Sequence, residues 1–307
     1  MIFCRIRWSS KTKLQLCLTN QKTCRSFCLT NNHSSSYYFC HMKKIWSLLL
    51  VCLTGLISCM DNDSDVKGSN VGTENAAPVI SYNVVSTYPH DTSIYTQGLE
   101  FYQGKLFQSG GQYGRSKLAH TDLITGKIVQ QLPLDKKYFG EGLTVLNDTI
   151  YQLTWQEHIV HVYHVKDFTK IKELPINTAG WGLTNDGKNI VASDGSSNLY
   201  FYEPSTFRLL RTQGVTENGN PVINLNELEY INGYIYANQY QYNYIVKIEP
   251  NSGQVVGKLD LTEIVNRIKA KDPRAEELNG IAYNPDTKKI YVTGKYWPEL
   301  FEVQFAL

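Results

Sequence analysis

Hydrophobic and polar positions alternate along most of this chain in short runs, and the runs recur. Five segments share one pattern: QGLEFYQGKLFQSGG from Gln97, EGLTVLNDTIYQLTW from Glu141, WGLTNDGKNIVASDG from Trp181, NELEYINGYIYANQY from Asn226 and NGIAYNPDTKKIYVTGK from Asn279. Each opens with a polar or aromatic residue and passes through a small or polar one into a short apolar strand. A Gly, Asn or Asp turn follows, then an alternating strand such as Ile150–Thr154. This is a recurring β-hairpin signal.

The opening residues are 44, 40, 45 and 53 positions apart. After most hairpins comes a further strand with its own turn, as in DLITGKIVQQL, EPSTFRLLRT and EPNSGQVVGKL. Three or four strands per unit of about 45 residues is the size of a propeller blade. A solenoid of that period would need helices or a much shorter repeat. The predicted fold is therefore all-β, a five-bladed β-propeller over residues 78–307. The long last step has a visible cause, because Leu261, Ile264, Val265 and Ile268 fall at helical spacing before Pro273. That spacing predicts one short inserted helix over about 261–272. A ring also needs closing, since an open edge strand invites aggregation. The strand-like VISYNVVSTYP (79–89) should pair into the last blade beside ELFEVQF.

The N-terminal region follows other rules. All seven cysteines lie in the first 59 residues, together with eight Lys or Arg and no Asp or Glu. Met42-Lys43-Lys44 opens a basic stretch, an apolar run follows, and it ends at Leu56-Ile57-Ser58-Cys59. A charged start, a short apolar run and a small residue before cysteine predict a secretory signal over 42–59. Its lipobox-like ending makes Cys59 the expected lipidation site. About a dozen apolar residues is too short to span a bilayer comfortably. Residues 1–41 have no role in this scheme and are expected to be an over-extended start, with Met42 the initiator. Residues 60–77, MDNDSDVKGSNVGTENAA, are polar and acidic and read as a flexible tether. The expected location is the cell envelope, with the protein exported and held at the membrane through the lipid on Cys59 alone.

Removing the leader changes the electrostatics. Thirty Lys and Arg less the leader's eight leave 22 against 28 Asp and Glu, a net charge of −6 in place of +2. A chain of that charge without a basic block offers no footing for a phosphate backbone, which excludes nucleic acid as the expected partner. Cysteine-free beyond residue 59, the domain must draw its stability from its core.

The repeat also locates a site. In a propeller the innermost strands line the axial channel, so equivalent positions form a ring around one mouth. Here Gln97, Glu141, Trp181, Asn226 and Asn279 converge, where core filling would call for aliphatic residues. A second ring comes from Trp155, Tyr240 and Lys295 at the ends of the following strands. Aromatic walls with a few convergent polar groups are the expected form of a ligand pocket. Other candidates are weaker. His158, His161 and His164 sit in a strand-like run, where alternate residues face opposite ways, so they read as surface strand histidines and not as a metal site. Glu100 and Glu229 occupy matching places in repeats one and four and are expected to hydrogen-bond a neighbouring blade. Asp194-Gly195-Ser196-Ser197 reads as a turn, and no glycine-rich phosphate loop opens a helix. No metal and no cofactor is expected.

Taken in order, YTQGLEF, FGEGLT, YQLTW, GWGLT, SDGSS, LNELEYI, LNGIAY and VTGKYWP between residues 95 and 298 resemble the glutaminyl-peptide cyclotransferases of plants and bacteria. That resemblance implies a five-bladed propeller that works without metal, converting N-terminal glutamine of peptides or proteins to pyroglutamate with release of ammonia. It implies that Glu141 is the acid/base, and that Gln97, Trp155, Trp181, Asn226 and Lys295 line the substrate pocket. Tyr95 and Tyr240 stand where the family pattern has Phe and Trp; both keep an aromatic wall and add a hydroxyl.

The chemistry fits these residues. The uncharged α-amine must attack the side-chain amide carbon, so the enzyme mostly has to hold a folded conformer. Trp155 and Trp181 can clamp the side chain, with Tyr95, Tyr240 and Asn279 completing the pocket. Gln97 and Asn226 can hydrogen-bond amide and backbone, and Lys295 can face the oxyanion. Glu141 can carry the amine proton to the leaving nitrogen. The alternative is a non-catalytic, lipid-anchored propeller that binds a peptide or glycan, since fold does not imply function. A lone carboxylate paired with a lysine among tryptophans discriminates, because a pure binder needs no proton shuttle. The domain is expected to act as a monomer.

Overall fold

The computed structural model describes residues 76–307. The expected signal, Cys59 and nearly all of the tether lie outside the described residues. Five four-stranded antiparallel sheets form five blades. Blade one is Thr96–Tyr102, Lys105–Gly110, Lys117–Thr121 and Ile128–Pro133; blade two is Gly140–Leu146, Thr149–Thr154, Ile159–His164 and Lys170–Pro175. Blade three has a shorter inner hairpin, Leu183–Asn185 and Ile190–Ala192, followed by Asn198–Tyr202 and Leu209–Gly214. Blade four runs Leu225–Ile231, Tyr234–Gln239, Tyr244–Ile248 and Val255–Asp260.

Blade five is assembled from both ends of the domain. Leu278–Asn284, Lys289–Gly294 and Glu299–Phe305 supply its inner strands, and Tyr82–Pro89 pairs antiparallel with Glu299–Phe305 as the outermost. The closure expected from the alternating N-terminal stretch is thus present, with the strand starting at Tyr82. The residues before it are tied as well. Ile80 donates its N–H to the Lys258 carbonyl at 2.7 Å, and Lys258 donates to the Pro78 carbonyl at 3.0 Å, on the outer edge of blade four. Ala77 is buried, and its N–H donates to the Glu217 carboxylate at 3.1 Å. Ala77, the last residue assigned to the tether, is thus packed against the domain.

Burial explains the pattern of the strands. The inner strands Gly140–Leu146 and Leu278–Asn284 are buried along their whole length, whereas outer strands such as Ile128–Pro133 alternate half-buried and exposed. One apolar cluster fills each interface between neighbouring blades. Leu143 and Ile150 of blade two meet Phe107 and Leu118 of blade one, for example, and Leu99 and Phe101 of blade one meet Ala282 and Tyr291 of blade five. The helix spans Thr262–Lys271 and buries Ile264, Val265 and Ile268 against blades four and five. Glu100 and Glu229 bridge blades, accepting the N–H groups of Val145 at 3.1 Å and Tyr283 at 2.7 Å.

Candidate active site

Four of the five innermost strands are bulged where the repeat opens. The register slips between Thr96 and Gly98, Gly140 and Leu143, Leu225 and Leu228, and Leu278 and Ile281. A bulge takes residues out of the ladder and re-aims their side chains. Gln97, Glu141, Asn226 and Asn279 all fall inside these slips. Trp181 precedes the inner strand of blade three, its N–H donating to the Ser193 carbonyl and its own carbonyl accepting from Gly142 at 2.7 Å. The residues after the openings pack closely on the next blade. A Cβ on Gly182 would collide with the Asn226 carbonyl, so only glycine lets the inner strands come this near.

The second ring rests on one recurrent backbone bond. Trp155 donates to the Phe139 carbonyl at 3.0 Å, Tyr240 to Asn224 at 2.8 Å and Lys295 to Glu277 at 2.9 Å; Gly111 donates likewise to Tyr95 at 2.9 Å. Each acceptor stands two residues before a repeat opening. The two rings meet around a cavity of about 300 Å³ lined by Gln97, Glu141, Asn226 and Lys295 together with Tyr95, Gln112, Phe139, Trp155, Trp181 and Tyr240.

Its aromatic wall is nearly continuous. Trp181 meets Tyr240 edge-on at 5.5 Å, and Trp155 leans on Phe139 at 5.6 Å, which in turn meets Tyr95 at 6.2 Å. Gly195, at φ 81°, lies beneath the Trp181 ring, where a Cβ would come within 2.7 Å of the indole. The Asp194 carboxylate accepts from the Ser196 N–H and the Tyr200 hydroxyl, so the SDGSS segment is a turn that seats Trp181.

The polar groups are nearly dry. Glu141 is 4 % exposed and Lys295 3 %. Burial pushes the Glu141 carboxyl well above its ordinary value, with the Lys295 charge opposing that rise and Glu157 adding to it. The same burial lowers the Lys295 ammonium, against which Glu277, Glu141 and Glu276 act. The Lys295 Nζ also lies over the Tyr240 ring at 4.5 Å and the Tyr95 ring at 4.8 Å. Both phenols are held above the ordinary tyrosine range, by burial first and by the nearby Glu276 and Glu277. The Asn226 side-chain oxygen is buried and has no hydrogen-bond partner among the described residues.

Asn279 departs from the expectation that it lines the pocket. It is buried behind Gln97, donating to the Thr96 carbonyl at 3.0 Å and to the Gln97 side-chain oxygen at 3.0 Å. The backbone acceptor fixes which end of Asn279 is the amide nitrogen, and that in turn leaves the Gln97 nitrogen as the donor toward the cavity. Of the histidines expected on a surface strand, His164 and His158 are exposed and His161 departs from the expectation. His158 precedes the strand at φ 56°, His164 is exposed, and His161 is 1 % exposed, packed edge-on against Tyr138 at 4.6 Å. Both faces of a mid-blade strand are covered by neighbouring blades, so alternation alone does not tell an outward face from an inward one. Burial lowers the His161 imidazole to about 4. Among the described residues, no group of His, Cys, Asp and Glu is arranged to hold a metal ion.

Phe139, Gln112 and Glu277 were not singled out from the sequence. Phe139 and Glu277 stand two residues before Glu141 and Asn279, as Tyr95 stands before Gln97; that shared offset was the available signal. Glu227, next to Asn226, is another such residue, fully buried with its carboxylate accepting the backbone N–H groups of Leu99 and Ile281.

The family model for glutamine cyclotransferases matches residues 51–305. The chain is 39% identical over 225 residues to the glutaminyl-peptide cyclotransferase of Arabidopsis thaliana, covering 72% of this chain and 70% of the plant protein. Among solved structures it resembles the glutaminyl cyclase of Myxococcus xanthus, with a TM-score of 0.70 and 35% identity over 74% of this chain and 98% of that one. By matched length and identity, the chain belongs to the glutamine cyclotransferase family.

Proposed function

We propose that this protein is a glutaminyl-peptide cyclotransferase acting on peptides or proteins that begin with glutamine, with Glu141 as its proton carrier. The observation that carries this reading is the contrast among the buried glutamates. Glu100, Glu227 and Glu229 are tied to backbone N–H groups of other blades, whereas Glu141 faces the aromatic cavity beside Lys295. A cavity of about 300 Å³ suits one side chain with its amino terminus and leaves the rest of a peptide outside.

In this reading the glutamine side chain lies between Trp155 and Trp181, with the α-amine folded back onto its own amide carbon. The Gln97 nitrogen and the Asn226 oxygen set the orientation of amide and amine. Attack forms the N–C bond of the lactam and places negative charge on the amide oxygen, which Lys295 faces. Glu141 takes the proton that the amine sheds and returns it to the leaving nitrogen as the C–N bond breaks, so ammonia departs neutral. A carboxyl raised by burial has the basicity this exchange needs near neutral pH.

The test is to incubate residues 60–307 with glutamine-initiated dipeptides and follow ammonia. Binding without ammonia would favour a peptide-binding propeller and end the catalytic reading. We also propose that the protein is exported and lipid-anchored at Cys59; labelled palmitate should be incorporated by the wild type and not by Cys59→Ala.

A further inference from the structure

Glu277 and Lys295 occupy a position that recurs around the ring, and in blade five alone it carries an ion pair. The equivalent pairs are Tyr95 with Gly111, Phe139 with Trp155 and Asn224 with Tyr240, each joined by the same backbone bond. Blade five doubles that bond, because Glu276 also donates its N–H to the Lys295 carbonyl at 2.9 Å. Trp297 braces the pair of strands, its indole N–H donating to the Glu276 carbonyl at 3.0 Å. The frame holds a Glu277 carboxylate oxygen 3.6 Å from the Lys295 Nζ, and that oxygen is buried with no hydrogen-bond partner. The lysine side chain is 4 % exposed and the glutamate 32 %, so the carboxylate keeps one side toward solvent.

We propose that Glu277 is a positioning residue for the cyclisation, the standing counter-ion that holds the Lys295 ammonium in place while Glu141 changes its charge. The inference rests on the proposed role of Glu141. If Glu141 were the sole anion beside Lys295, the buried ammonium would stand unpaired whenever Glu141 holds a proton and no oxyanion faces it, which is costly for a buried charge. The lysine would then be free to shift or shed its proton before the oxyanion forms. A second carboxylate, outside the proton exchange, keeps it in place. The groups that face Lys295 are Tyr95 from blade one, Glu141 from blade two, Tyr240 from blade four, and Glu276 and Glu277 from its own blade. The two phenols stay neutral in the working range, and Glu276 is exposed. Glu277 is the carboxylate placed to carry the role.

The experiment compares kcat against pH for the wild type, Glu277→Gln and Glu277→Asp, because kcat reports the bound complex and the substrate amine, needed uncharged, bears on the acid limb and not on the alkaline one. Removing an opposite charge at this range should move the alkaline limb down by about 1 pH unit or more. The acid limb should stay, KM should change little, and Glu277→Asp should fall between the other two. The Lys295 titration, followed by NMR of [13Cε]lysine-labelled protein and assigned by its loss in Lys295→Gln, should move down by the same amount. A Glu277→Gln enzyme that is weaker at every pH with both limbs in place would make Glu277 merely structural and overturn the proposal. So would an unmoved Lys295 titration, and this readout decides the matter even if no protein releases ammonia, an outcome that sinks the activity separately. Should Glu277→Gln not fold, Glu277→Asp alone decides, since an unmoved alkaline limb and titration would refute the idea.

Discussion

The Glu227 carboxylate of blade four accepts the backbone N–H of Leu99, on blade one, at 3.2 Å. Its other oxygen accepts that of Ile281, on blade five, at 2.8 Å. In the other four blades the matching place is a glycine: Gly98, Gly142, Gly182 and Gly280. The glycines let neighbouring inner strands approach closely, and the one glutamate ties its own blade to the first and the last. Glu227→Ala would strand two buried donors, each worth about 1–3 kcal/mol. At roughly 2–4 °C per kcal/mol for a domain of this size, the melting temperature should fall by about 4–24 °C. A shift of under about 2 °C by calorimetry would mean that the closure strand alone holds the ring.

Glu227 has two buried carboxyl neighbours, and together they set how stability changes with pH. Burial raises Glu100 to about 8, and it raises Glu227 and Glu229 well above the ordinary 4.5. The folded state therefore binds protons that the unfolded chain releases. Stability from these groups is complete below about pH 4.5 and is lost as pH rises toward 8. Glu203 and Asp272, lowered to about 2 by their hydrogen bonds, act oppositely and lose their contribution only as pH falls toward 2. The melting temperature should thus peak in mild acid and decline between pH 5 and 9. Glu100→Gln, which cannot ionise, should flatten that decline, and a melting temperature that rises from pH 5 to 9 would contradict the assignment.

Much of this was legible in the sequence, for a physical reason. An inner strand packed on both faces, a turn and an alternating return strand must recur in every blade, so the period and the blade count show through. The mouth ring showed through because its bulges recur at the same offset. What did not show is what depends on partners across the ring. Asn279 looks like Asn226 in its repeat, yet it turns toward Gln97, a residue 182 positions away. Glu227 stands out in the aligned repeat as the one second position that is not glycine, but the backbone N–H groups it accepts, on Leu99 and Ile281, show only in space. His161 sits in an alternating strand whose two faces are both covered, which alternation cannot report.

Trp181 supplies a wall, and its seat can be disturbed without touching the cavity. Trp181→Ala should raise KM by about tenfold or more, roughly 1.4 kcal/mol of lost contact, with a smaller effect on kcat. Gly195→Ala should act in the same direction, because the new methyl would press on the indole and alanine is strained at φ 81°. Steady-state kinetics on glutaminyl dipeptides reads both. A loss confined to kcat in either variant would place Trp181 in the chemistry and not in binding.

The sharpest prediction rests on Glu141. Glu141→Gln keeps the size and outline of the side chain and cannot shuttle a proton. Turnover should fall by about 10²-fold or more, roughly 3 kcal/mol of barrier, while KM changes far less because Trp155 and Trp181 still form the clamp. The pH profile gives a second readout. The wild type needs Glu141 ionised, and burial has raised that carboxyl, so activity should climb with pH through a limb above the ordinary carboxylate range. It should decline again where the lowered Lys295 ammonium is lost, giving a bell narrower than unperturbed groups would produce. In Glu141→Gln the enzyme's part of the acid limb should vanish from whatever activity remains, leaving only the titration of the bound substrate amine. Removing a buried carboxylate that acts on Lys295 only through its charge, with that lysine still balanced by Glu277, should leave the fold intact. A well-folded Glu141→Gln protein that releases ammonia at a near-normal rate would end the assignment and leave catalysis to positioning and to Lys295.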